Sequence, residues 1–246
     1  MLPFQDIATA NVEKDADYVV GASKTLTAGI YPATLINLFV RNSPGGATGI
    51  VTQWKLDDGQ EYSETVYITS RAGKATYVDK RTGKDKFLPG YQMVDDICLL
   101  LGDTPLNQTF FEGKIVKIYD YTAQKDVPTE VPVATKLLGK RANLCIVNVK
   151  KNKQVKDADG NYVSTAEEYS TNELEKVLSS ERKTANEVRN GSDAAFATTW
   201  DGVHTGTVRD KRTIKDQTTG SNPTASTAGT AASTTGNAAP TKSLFG

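Results

Sequence analysis

Residues 29–40 read Gly-Ile-Tyr-Pro-Ala-Thr-Leu-Ile-Asn-Leu-Phe-Val, and the cluster Asn42-Ser43-Pro44-Gly45-Gly46 follows. A β-rich run closed by turn-forming residues predicts a long first strand. Residues 48–56 form a second candidate strand, and Asp57-Asp58-Gly59 makes a tight turn into a third at 61–69. Three strands joined by short turns predict an antiparallel meander. In the third, Tyr62, Val66 and Ile68 share one parity, while Ser63, Thr65, Tyr67 and Thr69 share the other. That second face is polar apart from the ring of Tyr67, which is therefore expected in solvent. Trp54 shares a face with Ile50 and Leu56; core packing and base stacking both remain open for it.

Beyond the meander, residues 70–92 are too long for a plain connection, and such insertions are more often functional than not. Residues 93–101 predict a helix, apolar on one side and stopped by Gly102-Asp103-Thr104-Pro105. Strands are expected at 114–121 and 130–133, with a turn around Gln124-Lys125-Asp126. Residues 143–149 are apolar on both parities, which predicts a strand covered on both faces. Asp157-Ala158-Asp159-Gly160-Asn161 is a polar turn. Helices are expected at 171–180, after the capping box Thr184-Ala185-Asn186-Glu187, and around Phe196 and Trp200. The organisation expected is a flexible arm at 1–25, a body at 26–215 and a disordered tail at 216–246, whose Thr, Ser, Ala, Gly and Asn composition cannot build a core.

The chain has 246 residues, 38% of them hydrophobic, and the apolar deficit is concentrated in that tail. Its longest apolar run, 97–101, is far below the roughly 20 residues that span a bilayer. The Met1-Leu2-Pro3-Phe4-Gln5-Asp6 start lacks the basic and apolar regions of a signal peptide, so a soluble intracellular protein without membrane contact is expected. Cys98 and Cys145 each sit in an apolar run, the setting of buried reduced thiols.

Formal charge is zero, with 29 basic and 29 acidic residues, but the charges are segregated. Between Arg71 and Tyr91 stand six cations (Arg71, Lys74, Lys80, Arg81, Lys84, Lys86) against Asp79 and Asp85, interleaved with Tyr77, Phe87 and Tyr91. Between Lys136 and Lys156 stand seven (Lys136, Lys140, Arg141, Lys150, Lys151, Lys153, Lys156) and no acid. A basic run is ordinarily a solvated face. Cations mixed with rings are also what single-stranded nucleic acid requires, charge along the phosphates and flat surfaces beneath the bases. The candidate contacts are Trp54, Tyr67, Arg71, Lys74, Tyr77, Lys80, Arg81, Lys84, Lys86, Phe87, Tyr91, Lys140, Arg141, Lys150 and Lys151.

Signs of catalysis are sparse. His204 is the sole histidine and lies near no nucleophile motif. No Cys/His spacing suits a metal, and Gly21-Ala22-Ser23-Lys24-Thr25 is half a phosphate loop without its Gly-Lys-Ser/Thr. Asp95 and Asp96 are adjacent on a helix and point apart. A metal-dependent nuclease using Asp157, Asp159, Glu167 and Glu168 is a third-ranked alternative that a polar loop explains more simply. Neither enzymatic activity nor a cofactor is expected.

A mostly antiparallel set of strands with one intervening helix and a basic insertion suits an OB-type β-barrel. Leu88-Pro89-Gly90-Tyr91 leading into Asp95-Asp96-Ile97-Cys98-Leu99-Leu100, Lys117-Ile118-Tyr119-Asp120-Tyr121, the stretch 126–133, Leu138-Gly139-Lys140 and the terminal Lys242-Ser243-Leu244-Phe245-Gly246 occur in an order and spacing that resembles the OB-fold single-stranded DNA-binding proteins of tailed bacteriophages. The likeness covers most of 10–215 and the terminal tip. It implies a role in phage DNA replication or recombination, in the cytoplasm of an infected bacterial host. The tail departs from the acidic tails common in single-stranded DNA-binding proteins, because it is neutral. Its abrupt apolar end, Leu244 and Phe245, is expected to dock phage or host replication proteins. The alternative reading is a virion or assembly protein that uses barrel and tail for protein contacts only.

Overall fold

The computed structural model describes residues 25–120 and 123–214. The expected arm, apart from Thr25, and the expected tail with Leu244 and Phe245 lie outside the described residues.

Three strands, β1 (Gly29–Asn42), β2 (Thr48–Leu56) and β3 (Glu61–Tyr67), form the expected antiparallel meander. The register of β1 slips between Leu35 and Asn37, so Ile36 is an extra residue that lets both Leu35 and Leu38 face the core. The long insertion folds into a two-stranded hairpin, β4 (Thr76–Val78) and β5 (Asp85–Phe87), and helix α1 (Pro89–Gly102) follows. The helix starts four residues before the expected Met93, because Pro89 stands in its first turn, where a missing N–H costs nothing. A second ribbon, β6 (Glu112–Asp120) and β7 (Lys125–Val133), lays Val116, Ile118, Val131 and Val133 on Phe39 and Val51. On its other edge β7 pairs with β1 only at Val133, and Pro128 and Pro132 fall along that otherwise free edge.

The longest strands, β8 (Arg141–Lys156) and β9 (Tyr162–Leu178), form the third ribbon, and β8 joins the meander by pairing with β1. The expectation that β8 is covered on both faces holds. Leu144 and Ile146 enter the main core, while Cys145, Val147 and Val149 pack beneath Ala197 and Trp200 of helix α3 (Ala195–His204). Both thiols are buried, which pushes Cys98 up to about 11 and Cys145 up to about 12. The short helix α2 (Ala185–Asn190) opens on the expected capping box of Thr184 and Glu187, and β10 (Val208–Asp210) runs parallel to β8.

Two expectations are corrected. Residues 171–178 belong to β9 and are not helical. Leu174, Val177 and Leu178 have helical spacing, but a bulge at Glu175 shifts the register, so a strand brings both Leu174 and Val177 to the core. The sheet is mainly antiparallel but is not closed into a barrel. Its path runs β3-β2-β1-β8-β9, and no backbone ladder joins β3 to β9. Glu64 of β3 spans this seam, accepting from Leu174 N at 2.7 Å and from the Tyr62 hydroxyl. Burial is the largest cause that raises the Glu64 carboxyl above its ordinary range. Among the described residues, no helix is long and apolar enough to cross a membrane.

Candidate nucleic-acid interface

At the far end of the meander, Gly49 of β2 stands between Arg41 of β1 and Tyr67 of β3. A Cβ built on Gly49 would lie 3.4 Å from Tyr67 Cδ1 and 2.9 Å from Thr65 Cγ2. The missing side chain thus leaves room for the Tyr67 ring across the sheet, and that ring is 50% exposed. Its backbone is fixed from the other side, since a Cβ on Gly90 of α1 would stand 2.1 Å from the Tyr67 carbonyl oxygen. Only glycine allows α1 this approach. The turn joining β1 to β2 brings Gly45 against Arg71, with a built Cβ 3.5 Å from its Nε. Tyr67, Arg41 and Arg71 therefore share one end of the sheet.

The hairpin β4–β5 continues from there. Tyr77 and Phe87 are 44% and 48% exposed, and Lys86 faces Tyr77 across the ladder. Asp79 organises the turn by accepting from Arg81 N and Thr82 N at 2.8 and 3.2 Å, and it ion-pairs with Lys86. That lysine is the leading cause holding the Asp79 carboxyl below its usual range. Arg71, Lys74, Lys80, Arg81 and Lys84 are exposed and have no carboxylate partner among the described residues. Phe87 stacks on the half-buried Tyr91 with ring centroids 4.5 Å apart and planes 11° from parallel.

The second basic segment is in a different state. Antiparallel pairing sets β9, with its run of acids, beside it. Lys150 meets Glu168, Lys151 meets Glu173 and Lys153 meets Glu167. The carboxylates are shared, Glu173 with Lys211 and Glu168 with Arg212. Arg141 pairs with Asp57 at 2.6 Å, and Lys140 donates to the Leu101 carbonyl at the end of α1. Arg141 also pairs with Thr34, seven residues or roughly 23 Å along β1 from Arg41. Lys140, Arg141, Lys150 and Lys151 thus join no common patch of unpaired cations with the hairpin.

Trp54 requires a correction. It is fully buried in the core that includes Leu35 and Tyr62, where a base cannot reach it. Conversely, Arg41 was not among the candidate residues. Its place depends on cross-strand register, although an isolated glycine inside a strand, as at Gly49, is the signal of a close approach that leads to it. Also unforeseen was a cleft of about 290 Å³ between α1 and α2. Among the described residues no cluster of His, Cys, Asp or Glu is arranged to hold a metal ion.

Compared with known proteins, the chain matches no protein-family model and no curated protein.

Proposed function

We propose that this chain is a sequence-independent single-stranded DNA-binding protein, of the kind encoded by tailed bacteriophages, built on an incompletely closed OB-like sheet. The observation that carries the reading is the exposed Tyr67 ring laid over Gly49, continuous with a hairpin bearing Tyr77, Phe87 and unpaired Lys80, Arg81 and Lys84. The OB fold is a five-stranded, partly open barrel that binds oligonucleotides on the face of its second and third strands and on the loops beside it. The path β3-β2-β1-β8-β9, with α1 after β3 and a seam between β3 and β9, supports that likeness. Tyr67 belongs to the third of those strands and Arg71 lies against the first turn. Rings there stack bases without reading them, and the cations hold phosphates, so binding is tolerant of sequence and sensitive to salt.

A role in phage DNA replication or recombination within the infected bacterial cell belongs to the same proposal, as does docking of partner proteins by Leu244 and Phe245. Titration of a fluorescent oligo-dT against a duplex of equal length, at several salt concentrations, tests the reading. It expects preference for the single strand and weakening with salt; equal binding of both, or no salt dependence, overturns it. The reading as an assembly protein draws on exposed apolar groups of the two ribbons, Ile115 at 75% and Tyr162 at 66%, and expects no oligonucleotide binding at all.

A further inference from the structure

We infer that the cleft between α1 and α2 receives one unstacked nucleobase of a bound single strand, an assignment that rests on the single-stranded DNA reading above. Phe87 and Tyr91 both line the cleft, and their stacked pair makes an aromatic wall. Phe87 is half exposed, so a base can extend the stack. Around the wall stand groups that hydrogen-bond the edge of a base. Gln92 and Asn186 carry amides that donate and accept, and Asp95 accepts from Leu106 N at 2.7 Å through Oδ1, leaving Oδ2 for an N–H donor.

Charge separates base from phosphate. Asp95 and Asp96 are balanced by Lys176 and Arg189, and Asp96 is tied to Lys176 by an ion pair. A cleft of zero formal charge does not gather phosphate, whereas the adjoining hairpin with Lys80, Arg81 and Lys84 does. Phe87 ends that hairpin, so a strand whose backbone follows the lysines can turn a base into the cleft. Its volume of about 290 Å³ lies just below the roughly 300–1,000 Å³ typical of ligand pockets, enough for one base rather than a run of them.

The test uses the full chain and oligo-dT carrying a single 2-aminopurine at successive positions, whose fluorescence is quenched by stacking. At one or more positions quenching is expected on binding. Phe87→Leu, which keeps an apolar side chain but removes the ring, should relieve it and weaken affinity about fivefold to hundredfold. Asn186→Ala together with Arg189→Ala, both exposed residues of α2, should relieve it at the same position with an unchanged slope of affinity against salt. Quenching and affinity that survive the α2 pair overturn the inference while leaving single-stranded DNA binding intact. If the oligonucleotide does not bind at all, the functional reading fails first. The cleft is then judged by titrating deoxyadenosine and following the Gln92 and Asn186 side-chain amide resonances: shifts that saturate retain a base site, and their absence at millimolar nucleoside rejects it.

Discussion

The segments 71–91 and 136–156 are both rich in lysine and arginine, yet only the first meets solvent with most of its cations unpaired. The hairpin β4–β5 is short and exposed along both strands, it packs outward through Phe87 on Tyr91, and among the described residues no acidic strand pairs with it. Three cations of β8 face β9, whose Glu167, Glu168 and Glu173 neutralise Lys153, Lys150 and Lys151. Local charge density is thus no measure of a binding surface; strand pairing decides which cations remain available.

The sharpest way to break this comparison is at Tyr67. Tyr67→Ala should weaken oligo-dT binding by about 1–3 kcal/mol with little change in melting temperature, because half of the ring is already in water. An early-melting variant that still binds would show the ring to be structural. Next in size, removing Lys80, Arg81 and Lys84 together should flatten the logarithmic salt dependence of binding by about 0.7 for each phosphate that these side chains neutralise. Lys150→Ala with Lys151→Ala should leave that slope unaltered, and an equal effect from both sets would erase the distinction between the segments.

Glu173→Gln should lower stability by up to about 1 kcal/mol at neutral pH, read by chemical denaturation, since Lys151 and Lys211 lose their shared carboxylate. Partial burial works against ionisation of Glu173, but the two lysines prevail and its carboxyl lies below the usual range. Its contribution is therefore present above that range and fades as pH falls through the folded value, so the wild type and the variant converge in acid. The smallest effect concerns the seam, where Tyr62, Glu173 and Lys151 surround Glu64. Its raised carboxyl gives stability that is complete below the ordinary carboxylate range and declines as pH rises through the folded value. Glu64→Gln should match or exceed the wild type in stability at neutral pH and lose that advantage on acidification.

Much of this was legible in the residues themselves. Parity alone separates Tyr62 and Val66 from Tyr67, and apolar residues on both parities mark β8 as covered twice. Bulges defeated the reading of β9, because one extra residue converts the strand period of two into a spacing of three that imitates a helix. The availability of Lys150 and Lys151 and the neighbourhood of Arg41 were equally hidden, since both depend on which strands pair and in what register. The α1–α2 cleft joins residues more than a hundred positions apart, from Phe87 to Arg189, and no local pattern announces it.

The prolines of β7 bear on how copies of the chain behave when crowded. One edge of β7 is taken by β6, so Pro128 and Pro132, at the same parity, turn their ring nitrogens toward the other edge. A neighbouring molecule offering a strand to that edge would meet carbonyls without the matching amide donors, and an endless intermolecular sheet could not zip along it. Copies can therefore lie side by side at high local concentration without this edge of β7 seeding a fibril.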